Sequence, residues 1–386
     1  MIVYWLELKK LLTSSAIWGF LAACLLFNLF IISNSRDEYA DYIGAASADT
    51  GVALDSSFYE KLSHMTANGE QASRYLEWLK ADTDGAADVF EGYETRPVAE
   101  RYIAAVGATG YFAQAMRDKY AALQNVVDKK AENDESLTLY FAGATYDRHQ
   151  LLFDTLTGWL IVEGSLVAVL LALLSTGYEH IFRTGHIVYS SKIGRRVLRP
   201  KFAAALTAGL GAYTLLALLT LLYYFGVNEY GDVWRSNVSS LFNYRVDLIA
   251  GTRPFVTWHS FSVLTYLLAM LGMSAGMVLC CLLLAFGIGI WVRSSYIAFL
   301  VFLAANAVCI AVPVQIPSGW PIGPGVKYLS MLSPVWLWLK HSIWFTDGDV
   351  DIVWAHFETV GLCASLVVLI VFCLLADIRF RKRNLA

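Results

Sequence analysis

The sequence predicts an all-α polytopic membrane protein with six transmembrane helices, an N-terminal interfacial helix and a mostly helical extracellular domain. Three observations predict it. Of the 386 residues, 57% are hydrophobic and only 16% charged, where a soluble domain carries about a quarter charged residues. Six apolar segments, near 11–33, 151–175, 202–226, 260–290, 296–315 and 352–376, contain no Lys or Arg. Each approaches or passes the ~20 residues a helix needs to cross ~30 Å of hydrocarbon. One long charged stretch, 34–150, then separates the first apolar segment from the second.

Residues 1–33 hold the interfacial helix and the first span. Tyr4, Trp5 and Leu8 can face lipid while Glu7, Lys9 and Lys10 face water, the pattern of a helix lying at the membrane surface; a snorkelling helix end gives the same pattern. The apolar run that follows is longer than the roughly 7–15 residues of a signal-peptide core, so it reads as a retained anchor. Residues 34–150 form the extracellular domain. Ile103, Val106, Met116, Tyr120, Leu123 and Val127 recur there at helical spacing, and "DTDG" and "KKAENDES" read as turns. The domain is net acidic, which suits either cationic ligands or simple solubility.

Residues 151–226 carry the second and third spans with a cytoplasmic loop at 176–201. Residues 227–259 are an extracellular loop, and 260–315 hold the fourth and fifth spans. Residues 316–351 are broken by Pro and Gly yet rich in Trp. They read as extracellular re-entrant or interfacial helices, with Trp336, Trp338 and Trp344 at headgroup depth. Residues 352–386 give the sixth span and a basic cytoplasmic tail.

Short loops decide orientation, because long domains translocate whatever their charge. The basic island at 176–201 and the tail "RFRKRNLA" stand against a base-poor 316–351, so both termini are expected in the cytoplasm. All six cysteines fall in expected spans, leaving the outer domain without a disulfide framework. That suits a bacterial cytoplasmic membrane.

Chemistry-bearing motifs are few. The chain has no GxxxxGK[ST] phosphate loop, so ATP would be hydrolysed by another polypeptide. "GMSAG" matches the G-x-S-x-G pattern around Ser274, but that motif needs a strand-turn-helix setting. The same letters place Gly272 and Gly276 on one helix face, as close helix packing requires. His180 and His186 are six apart, not the four of a metal pair on one helix face, and no metal site is expected. Glu163 lies in the middle of the second span, where a charged group costs about 2.5–3.5 kcal/mol on insertion scales. It is the candidate for a substrate pathway, or a protonated acid bonded to a neighbouring helix. Asp154 and Glu358 lie nearer the outer boundary.

The island "YEHIFRTGHIVYSSKIGRRVLRPKF" is longer than a topology signal needs. It includes an amphipathic stretch, "HIFRTGHIVYSS", and a basic cluster at Arg195, Arg196, Arg199 and Lys201. Together with "ELKKLLTSSAIW" before the first span and "TYDRHQLLFDTLTGWL" leading into the second, it resembles the permease subunit of a type-2 ABC transporter. The matching order is Glu179, Thr184, Gly185, Ser190, Ser191, Gly194, Arg195 and Lys201. The resemblance implies that 179–194 is a coupling helix docking on a separate ATP-binding subunit, which would hold ATP and Mg. It implies that the interfacial helix is the elbow helix, and that a second permease copy, identical or a paralogue, completes the path. The lipid membrane is then the third partner, with no nucleic acid. The large insertion after the first span resembles members linked to antimicrobial-peptide export or immunity.

The expected function is therefore the membrane subunit of an ATP-driven exporter, not itself an enzyme. A peptide-sensing or mechanotransmitting permease that signals without transport is the alternative. An intramembrane serine hydrolase built on Ser274 is a remote third.

Overall fold

The computed structural model describes residues 2–184, 188, 194–292, 294–316 and 323–382. Six helices among them are long and apolar enough to cross a membrane: Ser15–Asn34, Thr145–Ile181, Leu198–Val227, Val263–Trp291, Ser295–Gln315 and Phe357–Lys382. They are the first to sixth spans of an all-α, multi-pass membrane protein. Six crossings put both chain ends on one side, the termini face; the opposite side is the domain face. A short leading helix, Ile2–Leu12, precedes the first span.

The second span is the centre of the bundle. It packs against the third and fourth, the fourth packs against the sixth, and the leading helix lies along the third. Glycines allow this closeness. A Cβ on Gly164 would lie 2.6 Å from the Tyr213 ring, and one on Gly209 would lie 2.7 Å from Leu282. Lipid tails are as apolar as leucine, so such fitting, rather than burial from water, holds the helices together. The expected Gly272/Gly276 face divides in two. A Cβ on Gly276 would lie 2.6 Å from Leu362 of the sixth span, whereas Gly272 has nothing within 4 Å.

The second helix has 37 residues, about 55 Å at 1.5 Å per residue. That exceeds the hydrocarbon thickness, so its first turns stand inside the outer domain. The turns Gln150–Leu156 are π-helical, a widening frequent at functional sites.

Five α-helices build the domain that stands outside the bundle between the first two spans, here the outer domain in that sense alone: Ala40–Thr50, Ser56–His64, Glu70–Thr83, Arg96–Val106 and Gly110–Glu132. Asp55 caps the second of them, accepting the Phe58 N–H at 2.9 Å. The later loops do not stand apart from this body. A hairpin of Tyr244–Asp247 against Gly251–Pro254 supplies the only β-strands among the described residues. Its neighbours Val256 and Trp258, with Tyr328 and Val353 from beyond the fifth span, share one core with Tyr102, Met116 and Tyr120. Three segments far apart in sequence thus make one domain.

The Trp-rich segment forms helices Gly323–Ser330 and Pro334–Leu339. Trp336 and Trp338 are half-buried and donate to Cys309 O and Gly158 O. Trp344 is fully buried in the core, its indole N–H satisfied by Leu337 O at 3.1 Å, because a buried indole needs an acceptor.

Candidate functional site

Where the basic island leaves the bundle, two charges are buried together. Glu179 ends the second span and Lys201 begins the third. Lys201 Nζ lies 2.5 Å from Glu179 Oε2 and donates to Ser175 O at 2.5 Å. It also lies 3.9 Å from Glu7 Oε2 on the leading helix, and Glu7 pairs with Lys10 at 2.7 Å. Burying ions costs several kcal/mol each, so such a charge persists only when surrounded by partners. The leading helix and the second and third spans therefore meet at one electrostatic node.

This placement bears on the residues expected to couple to a partner. Glu179 and Lys201 turn inward, each 1% exposed. Thr184 is half-buried, its N–H bonded to Glu179 O at 3.0 Å. Gly194 opens a 3-10 turn, Gly194–Val197, with φ of +51°. Gly185, Ser190 and Ser191 lie outside the described residues, as do His186 and the side chain of Arg195.

A second polar node sits inside the membrane. Asn28 of the first span donates to Glu163 Oε2 at 2.8 Å and contacts Thr220 Oγ1 of the third span at 3.2 Å. All three side chains are buried. The sequence singles out Glu163 but not its partners. Asn28 was the available signal, a lone amide within "LLFNLFIIS", since intramembrane amides bond across helices. Ser274 lies fully buried in the fourth span and donates to Met270 O of its own helix at 2.7 Å.

Near the domain face, Asp154 Oδ1 lies 3.3 Å from His341 Nε2. Glu358, fully buried, occupies the first turn of the sixth span, where the helix dipole favours a carboxylate.

The third node holds the outer domain together. Asp347 has a fully buried side chain that takes Arg253 and, at 3.1 Å, Arg245. Tyr120 OH donates to it at 2.8 Å. Lys119 Nζ donates to two backbone carbonyls, Asp347 O at 2.8 Å and Ile352 O at 2.6 Å. Burial by itself would raise the Asp347 pKa, but Arg253, Arg245 and Lys119 outweigh it and hold the carboxyl below its ordinary range. Burial pushes Lys119 the other way for a cation, down to about 8. A smaller node repeats the design: Glu135 accepts from Lys130 at 2.7 Å, Asn237 at 2.7 Å and Ser260.

Set against protein-family models, curated proteins and solved structures, the chain gives no significant match. Among the described residues, no three His, Cys, Asp or Glu side chains group as a metal site would require.

Proposed function

We propose that the chain is the transmembrane subunit of an ATP-driven ABC exporter in a bacterial cytoplasmic membrane, with both termini cytoplasmic. A separate ATP-binding subunit would supply ATP and Mg, and a second permease copy would complete the path for an amphiphile such as an antimicrobial peptide. The observation that carries this reading is the buried Glu179–Lys201 pair with Glu7 beside it. It ties the root of the 182–197 connection to the leading helix and to two spans at once. A pull or push on that connection then reaches the bundle as a rigid displacement rather than as loop motion. Glu163, bonded to Asn28 and close to the third span through it, sits where such a displacement would change the membrane interior.

The test is co-expression with an ATPase encoded beside the gene. A stable complex is expected, with ATP hydrolysis that drives uptake of an amphiphilic peptide into inverted vesicles. Glu163→Gln is expected to lower transport while insertion and complex formation persist. A chain that purifies with no ATP-hydrolysing companion, or an Arg196→Cys label reachable from outside intact cells, would overturn the proposal.

One observation favours the mechanotransmitting alternative. The outer domain is clamped by a buried acid, Asp347, that joins three segments, as suits a part that relays a bound ligand's force. Peptide-dependent ATP hydrolysis without vesicle uptake would select it.

A further inference from the structure

An apolar groove runs between the third, fourth and sixth spans on the termini half of the bundle. Phe202 and Leu206, Leu283 and Phe286, and Ile370 and Leu374 line it, enclosing about 540 Å³. At its mouth stand Arg199 and Asp377. Asp377 is answered by Arg381 of its own helix at 2.6 Å, whereas Arg199 is exposed. A second hollow of about 290 Å³ adjoins it through Ile290 and is edged by Trp291, Arg379 and Lys382. The Arg379 guanidinium lies over the Trp291 ring at 4.4 Å, while Arg379 and Lys382 are exposed. One exposed cation, Arg199, thus stands at the mouth of the apolar slot, and two more, Arg379 and Lys382, edge the adjoining hollow.

We propose that this is a binding site for an anionic phospholipid, with an acyl chain in the groove and the phosphate-bearing headgroup on Arg199, Arg379 and Lys382. Charge complementarity selects the occupant. A second copy of this chain, packed face to face by a two-fold axis, would bring the same cations into one seam. An apolar partner helix would fill the slot and leave the cations unanswered. A zwitterionic headgroup carries a cation of its own. An anionic lipid satisfies both halves of the surface: its tail matches the lining, and its phosphate matches the guanidinium fork. Basic pockets between spans at a membrane interface suit such headgroups. Trp291 is the last residue of the fourth span, and indoles favour span ends. The proposal stands apart from the exporter reading, since it needs neither an ATPase nor a transported substrate.

The experiment is native mass spectrometry of the full chain in detergent, titrated with dioleoyl phosphatidylglycerol or dioleoyl phosphatidylcholine. The wild type is expected to retain one phosphatidylglycerol at least about tenfold more tightly than phosphatidylcholine. Joint Arg199→Gln, Arg379→Gln and Lys382→Gln substitution is expected to erase that preference. Leu283→Trp, which fills the slot and touches no charge, is expected to lower retention of phosphatidylglycerol by a similar factor. Glycerol 3-phosphate at millimolar concentration is expected not to displace the lipid. Equal retention of the two lipids by the wild type would overturn the proposal, and so would unchanged retention in either variant or displacement by glycerol 3-phosphate. Copy-to-copy disulfide trapping of Leu374→Cys in native membranes would also overturn it, by placing a second copy on the groove.

Discussion

Lys201 and Glu179 form an ion pair of 2.5 Å with each side chain 1% exposed. Removing one member of such a pair strands the other. Glu179→Gln is expected to cost about 3–5 kcal/mol of stability, toward the lower figure because Glu7 stands 3.9 Å from Lys201. Adding Lys201→Met is expected to restore most of the loss. Unfolding of the purified variants in detergent checks both. A single variant as stable as the wild type would remove the pair from any structural account.

Asp347→Asn takes the one acid from between Arg245 and Arg253. The loss is expected to be of the same order, about 3–5 kcal/mol, but local to the outer domain. Hydrogen exchange is the measurement: protection of 244–258 and 345–353 falls while the spans keep theirs. The acid dependence follows from the depressed pKa. A carboxylate lowered on folding stabilises fully above its ordinary value of 3.8 and loses that contribution as pH falls through the lower folded value. This group therefore gives no loss between pH 7 and 5, and acid release of the domain only below the ordinary value.

Lys119 makes the opposite kind of prediction. Its pKa falls from 10.5 to about 8 on burial. Below pH 8 both folded and unfolded chains carry the proton, so the full cost of burying a cation is present. Between 8 and 10.5 the unfolded chain binds a proton that the folded chain has released. Stability from this group then rises with pH by about 1.4 kcal/mol per unit. Lys119→Met is expected to flatten that rise in thermal unfolding of the outer domain. An unchanged slope would mean that the amine keeps its proton through this range.

Glycine substitutions test the packing of the bundle. Gly164→Val drives methyls into Tyr213 and Val278 and is expected to cost about 1–3 kcal/mol, the usual penalty for overpacking. Gly272→Ala meets nothing within 4 Å and is expected to be neutral or slightly stabilising, since alanine is the better helix former. Steric-trap or detergent unfolding midpoints compare the two. Equal costs would mean that both glycines lie in a seam.

The spans were legible because lipid leaves so few choices. Twenty apolar residues without Lys or Arg can hardly be anything else, and the fourth apolar segment, expected over 260–290, is the helix Val263–Trp291. The outer domain was not legible at the same depth. Tyr120, Arg253 and Asp347 are far apart in sequence and belong to three loops that look independent. No local periodicity announces a pairing made only when those loops fold onto one another. Lys201 shows the same limit. It sits in a run of bases, and only its place on the inner face of a helix decides that it turns toward Glu179 rather than outward. Glu163 was visible as an anomaly of composition, while its partners Asn28 and Thr220 needed the helix faces to be known.

The clamp on Asp347 has a mechanical consequence. Chain leaving the first, third and fifth crossings is gathered into one knot, so on that side the rods behave like ribs riveted at the pivot of a fan. They can spread only at the far edge. Any large breathing of the rods must then swing from the edge where the polypeptide starts and stops, with the knotted cap carried along as a single piece.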